Sequence, residues 1–199
     1  AVDDMDMKIT TVIRGDDHIT NTLKQINVLD ALGATIPSYA HLPMVLAESG
    51  KRLSKRDGAE DILDYKKKGY LNDALVNYLV RLGWSHGEEE IFSLEKLKKI
   101  FNLEDVNSSP SKYSQELLDW YNNKYLNFLT SEDLILKVKE NSGIDFTEIN
   151  NGELAISLLA KGANSLSQIA EDSIYFFEEP QIKFDSLNID ANKKVIFSK

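Results

Sequence analysis

Strand-like texture in this chain is confined to two short segments, both ahead of Gly50. ITTVIRG, Ile9–Gly15, is short, β-branched and apolar, as a buried strand requires. Met44–Ala47 is a second short apolar run. Between them, TNTLKQINVLDALGA carries Leu23, Ile26, Leu29 and Leu32 at helical spacing, with Thr20 or Asn21 available as a cap and Gly33 as a stop. Strand, helix and strand over this length predict a crossover unit of an open parallel α/β sheet. Two strands cannot cover both faces of such a sheet. With an acidic N-terminus that begins abruptly beside the first strand, this predicts a piece of a longer protein.

Past Gly58 the pattern turns helical. EDILDYKKKGY is a short helix closed by Gly69. LNDALVNYLVRLGW follows, with Asn72 as cap and Leu75, Tyr78, Leu79 and Leu82 on one face. Ser93 caps SLEKLKKIF, and SSPSKYSQELLDWYNNKYL begins a helix after Pro110. Thr130 and Asp133 stand in capping-box positions, with Gly143 as the stop. ELAISLLAKGANSLSQIAEDSIYFF reads as helical again, and the last twenty residues read as loosely structured or truncated. The fold class expected is mainly α with a partial α/β part.

Charge sharpens the reading. The 199 residues carry a formal net charge of −9, which argues weakly against a general nucleic-acid binder. There is no cysteine, so no thiolate site or disulfide framework exists, which suits a reducing compartment. No run is long enough for a membrane span, and no partner membrane is expected. Yet Lys51, Arg52, Lys55 and Arg56 fall within six positions, around Leu53 and Ser54, and directly after the second strand. Ligands of open α/β sheets collect at the carboxyl ends of the strands. Lys offers a mobile charge, Ser a hydroxyl and the flanking glycines freedom to move, the ingredients of a phosphate clamp. It is not a Walker loop. Arg14, at the end of the first strand, is placed either to fork a carboxylate or to pair with Asp16 or Asp17.

RLSKR, Arg52–Arg56, resembles the Lys-Met-Ser-Lys-Ser signature of class I aminoacyl-tRNA synthetases, in the form typical of bacterial glutamyl-tRNA synthetases. VIRGDDHITNTLKQINVLDALGA, AHLPMVL, KRLSKRDGA, GYLNDALVNYLVRLGWSHG and EEIFSLEKL resemble consecutive segments of that family. The likeness is strong from Ile9 to Leu126 and weaker through LLAKGANSLSQIAEDSIYFFEEP. It implies ATP-dependent activation of glutamate to glutamyl adenylate and transfer to the end of tRNA(Glu), in the cytoplasm. Lys55 would bind the triphosphate and stabilise the transition state, with Ser54 and Arg56 supporting the loop. Arg52 stands where the family usually has lysine. Val45 and Leu46 would read adenine through their backbone, Asp17 would lie near ATP, and Arg14 would face glutamate. Mg²⁺ would come with ATP, and no resident metal site is expected.

The resemblance also divides the chain. Residues 1–58 would be the second half of a class I Rossmann-type nucleotide-binding domain, 59–120 a helical stem-contact domain, and 121–199 the start of a helical anticodon-binding domain. The family's His-Ile-Gly-His signature, its N-terminal glutamate-binding arginine and its acceptor-stem insertion have no counterpart here. The chain alone is therefore expected to charge little or no tRNA. Two alternatives stand beside this reading: a glutamyl-queuosine tRNA synthetase, disfavoured by the helices after Tyr121, and a non-catalytic tRNA-binding helical module. Among other residues, Trp84 and Trp120 are expected as core anchors, His18 and His41 as supports of the Arg14 turn and the second strand, and His86 as a turn residue. Lys66–Lys68 is expected as a solvated helix end or a tRNA backbone contact, and Glu88–Glu90 as a solvated run.

Overall fold

The computed structural model describes residues 1–53 and 60–177. The chain opens with α1 (Val2–Asp6) and runs through β1 (Thr11–Gly15) into a 3-10 turn, Asp16–His18, and α2 (Ile19–Ala31). β2 (Ser38–Leu42) returns parallel to β1, with Thr11 opposite Ser38 and Arg14 opposite His41. The crossover unit thus exists, but its second strand is Ser38–Leu42, not the apolar run Met44–Ala47. Tyr39 and His41 weakened the hydrophobic signal of that strand, although it is the one that pairs. Part of the apolar run, β3 (Val45–Leu46), instead pairs in parallel with a distant β4 (Ser111–Lys112). β4 is too short and polar to show a period of two. Because α2 continues directly from the 3-10 turn, it has no side-chain cap from Thr20 or Asn21.

The helices that follow are α3 (Ile62–Lys67), α4 (Asn72–Arg81), α5 (Leu94–Ile100), α6 (Gln115–Leu126) and α7 (Ser131–Ser142). The last described are α8 (Gly152–Gly162), α9 (Leu166–Asp172) and α10 (Ile174–Phe177). Ser93 accepts from Lys96 N at 3.2 Å and Thr130 from Asp133 N at 3.1 Å, while Gly143 closes α7 at φ +82°. Such caps satisfy amide donors that the first turn leaves free. Leu71, not Asn72, caps α4, and Asn72 is its first helical residue. The stretch from Glu153 to Phe177 breaks at Ala163–Ser165, where Ser165 caps α9. There Asn122 Nδ2 donates to the Asn164 carbonyl at 2.7 Å and Asn123 Nδ2 to the Ala163 carbonyl at 2.8 Å.

Two cores lie in the helical part. Tyr65, Leu75, Tyr78, Leu118 and Tyr121 form one between α3, α4 and α6. Leu126, Val138, Phe146, Ile156 and Ile169 belong to the other, between α6, α7, α8 and α9. A third cluster places Trp84 (1% exposed) with Phe92 and Leu97. Trp120 is no core anchor: it is 37% exposed, with the Lys124 ammonium 5.4 Å from its ring centroid. Leu79 also faces outward, as do Leu23 (66% exposed) and Leu32 (51%) on α2. The helical period of α2 is correct, but among the described residues only Thr22 and Leu29 of this helix are buried.

Candidate functional site

The carboxyl ends of β1 and β2 bring Arg14 and His41 into register. Side chains in register on parallel neighbours share a face, and Tyr39, two residues back, lies on it too. Arg14 is held at two points. Its Nη2 donates to Thr22 Oγ1 at 2.5 Å, and its guanidinium carbon stands 5.6 Å from the Tyr39 ring centroid. Thr22 reaches the site because α2 follows β1 after one 3-10 turn, which folds its first turns back over the strand end. His41 Nε2 lies 2.8 Å from the same Thr22 oxygen, and the His41 ring stacks on Tyr39 with an interplanar angle of 8°.

Two polar atoms here lack partners among the described residues: Arg14 Nε and Tyr39 OH are both buried and unbonded. Buried donors without acceptors cost about 1–3 kcal/mol each. An anionic ligand at the strand end would relieve part of that cost.

Arg14 does not pair with Asp16 or Asp17. Asp17 Oδ2 instead accepts from Arg52 Nη2 at 2.7 Å. This bond ties the turn after β1 to the start of the cationic stretch, 35 residues away. Arg52 is mostly exposed, so the pair contributes little to stability, about 0–1 kcal/mol. Its effect is positional. His18 is a backbone cap of α2, and its carbonyl lies 3.3 Å from Thr22 Oγ1, as acceptor.

β3 leads into the cationic stretch through a tight return. Ala47 N donates to the Lys51 carbonyl at 2.7 Å, and Leu53 N to the Val45 carbonyl at 3.1 Å. The Leu46 carbonyl accepts from Tyr113 N at 2.8 Å. The carbonyls of Val45 and Leu46, whose backbone is expected to read adenine, are therefore already bonded, and each keeps one lone pair to share. Ser54, Lys55 and Arg56, the centre of the expected clamp, lie outside the described residues.

On the far side of that stretch, Asp61 caps α3, Lys68 pairs with Glu60, and Lys67 pairs with Asp64 at 2.7 Å. The Lys67 ammonium lowers the Asp64 pKa, and Asp64 in turn raises that of Lys67. Tyr65 OH lies 2.8 Å from Tyr113 OH. Tyr113 donates to Gln115 Oε1 at 2.6 Å, and Gln115 donates to the Tyr70 hydroxyl at 2.8 Å. Tyr70 donates to Asp119. Burial first, and then Tyr65, pushes the Tyr113 hydroxyl pKa far up. This chain of phenols escaped sequence reasoning because its members sit in separate helical patterns. The one signal was the density of tyrosine between positions 65 and 125.

Among the described residues no three His, Cys, Asp or Glu side chains gather closely enough to hold a metal ion, and no helix is long and apolar enough to cross a membrane. Residues 1–120 match the family model of the class I tRNA synthetases (E and Q), catalytic domain. The chain is 48% identical over 182 residues to a glutamate–tRNA ligase of Nitrosospira multiformis, covering 89% of this chain and 39% of that protein. It is 45% identical over 183 residues to a ligase of the same name from a Janthinobacterium, covering 90% of this chain and 40% of that protein. The crystal structure of a glutamate tRNA ligase from Elizabethkingia meningosepticum, in complex with its amino acid, superposes with a TM-score of 0.76 at 29% identity. That match covers 90% of this chain and 40% of the other. The chain thus spans about two-fifths of the length of these relatives. The small parallel sheets within residues 1–120 are part of a Rossmann-like class I catalytic fold, and the chain belongs to the class I tRNA synthetases of the E and Q group.

Proposed function

We propose that this chain forms part of a glutamate–tRNA ligase working in the cytoplasm. The glutamate α-carboxylate attacks the α-phosphorus of ATP, pyrophosphate leaves, and the glutamyl group passes to the terminal ribose of tRNA(Glu). The observation that carries this reading is Arg14: a cation fixed by Thr22 and Tyr39 at the carboxyl ends of parallel strands, with a buried Nε that lacks a partner among the described residues. A guanidinium so held is suited to a carboxylate of the amino acid.

Lys55 then supplies positive charge to the leaving pyrophosphate, with Ser54 and Arg56 beside it. Arg52 acts from the edge of the clamp, held toward the sheet by Asp17. Asp17 is thereby an orienting group rather than a direct ATP ligand. Val45 and Leu46 hold the adenine end by their backbone. Mg²⁺ arrives with the nucleotide and neutralises its phosphates. Residues 1–58 serve as part of the nucleotide domain, 59–120 contact the tRNA stem, and 121–199 begin the anticodon-binding part. Position 120 lies inside α6, which would make that helix the rigid link between the last two.

Glutamate attachment to purified tRNA(Glu) tests the reading. The gene product containing this chain should charge, and this 199-residue chain alone should not, because orientation and electrostatics act together. Lys55→Ala in the gene product should slow charging by about 10²–10³-fold, as expected for a lost charge stabiliser. Full charging by the Lys55→Ala protein would refute the clamp.

A further inference from the structure

Among the described residues ahead of Gly58, Thr22 is the one buried polar side chain, and it is 7% exposed. No feature of the helical period required a polar residue there: its neighbour on that face, Leu29, is fully buried. Its hydroxyl lies within reach of three groups at once: Arg14 Nη2 at 2.5 Å, His41 Nε2 at 2.8 Å and the His18 carbonyl at 3.3 Å. A hydroxyl carries one proton and two lone pairs, and a guanidinium can only donate. In either sharing of protons, therefore, one lone pair of Thr22 faces Arg14. The second neighbour, His41, is held by stacking on Tyr39, and Tyr39 also underlies the guanidinium. Arg14, Thr22, His41 and Tyr39 make a closed ring of contacts drawn from β1, α2 and β2.

From this geometry we propose that Thr22, seated by His41, is the positioning residue that sets the direction of the Arg14 guanidinium toward the amino-acid carboxylate. An arginine has four side-chain torsions to fix, and a single hydrogen bond at one end of the fork, with a ring beneath it, removes most of that freedom. The remaining N–H groups then point one way before substrate arrives. The inference rests on the glutamate-binding reading of Arg14 and goes beyond it in naming what aims that residue.

The test is tRNA(Glu) charging by the gene product containing this chain, with KM for glutamate and for ATP measured separately. Thr22→Val keeps the shape and removes the lone pair. It should raise KM for glutamate on the order of tenfold, the effect of one hydrogen bond to a charged group, with KM for ATP unchanged. Thr22→Ser, which keeps the hydroxyl, should restore the wild-type KM. In an Arg14→Lys background, where the fork is already gone, Thr22→Val should add nothing further to KM for glutamate. A purely structural threonine would behave otherwise: both KM values would move together, or the cost would persist in the Arg14→Lys background, and either result overturns the proposal. So does an unchanged KM for glutamate in Thr22→Val. Failure of the functional reading itself looks different, because the wild-type gene product would then not attach glutamate at all, or Arg14→Lys would leave KM for glutamate unmoved.

Discussion

Asn77 shows how much one side chain can hold together. It is fully buried, and its Oδ1 accepts from Phe92 N at 2.6 Å and from Tyr125 OH at 2.8 Å. Its Nδ2 donates to the Glu90 carbonyl at 2.8 Å. Asn77→Ala leaves Phe92 N and the Glu90 carbonyl without this partner in a dry site, at about 1–3 kcal/mol for each, while Tyr125 OH keeps its bond to the Phe92 carbonyl. Urea unfolding of the variant should therefore show a loss of about 3 kcal/mol, well above that of a surface change. The candidate site was legible in sequence to the extent that its chemistry was local. Arg14 announced itself as a cation at a strand end. Its partner did not, since Thr22 reads as an ordinary helix residue until the crossover brings it over the strand. The Arg52–Asp17 pair was hidden for the same reason, as the two are joined by topology and not by spacing.

The helices after α1 were legible as helical segments, though α8, α9 and α10 read as one stretch and Thr20, Asn21 and Asn72 were wrong as caps. Ser93, Thr130 and Gly143 act locally, so sequence suffices. Strand pairing is not local, and the polar β2 and the two-residue β4 escaped it. The seam between α3 and α9 belongs to the same class. Leu166 N donates to the Gly69 carbonyl at 3.0 Å, and a Cβ on Gly69 would stand 2.7 Å from both Leu166 Cβ and Ser167 N. Gly69 also has φ +78°, a left-handed conformation that L side chains rarely adopt. Gly143 has φ +82° with open space around its Cβ position. Gly143→Ala should thus cost only the backbone strain, about 1 kcal/mol. Gly69→Ala should cost clearly more, because the seam must also open. Thermal unfolding of the two variants side by side measures that difference.

At the scale of the molecule, the buried phenols set a limit on alkali. Burial pushes the hydroxyls of Tyr78 and Tyr125 up to about 12, from an ordinary value of 10.0. The folded state then holds protons that the unfolded chain releases. Their stabilisation is complete below pH 10, declines as pH rises above it, and is gone past about 12. The tyrosinate absorbance owed to Tyr78 and Tyr125, read as the difference between the wild type and Tyr78→Phe or Tyr125→Phe, should accordingly appear together with loss of far-UV ellipticity in that window. A rise of that difference in a still-helical protein would contradict the burial. The two helical cores meet in α6, which gives Leu118 and Tyr121 to one and Leu126 to the other. A chimera that exchanged one core for that of a relative would have to place its joint outside Gln115–Leu126. A joint within that helix would ask half a helix from each parent to match across a register neither was selected against. Through that one helix the two cores are exchangeable only as a pair.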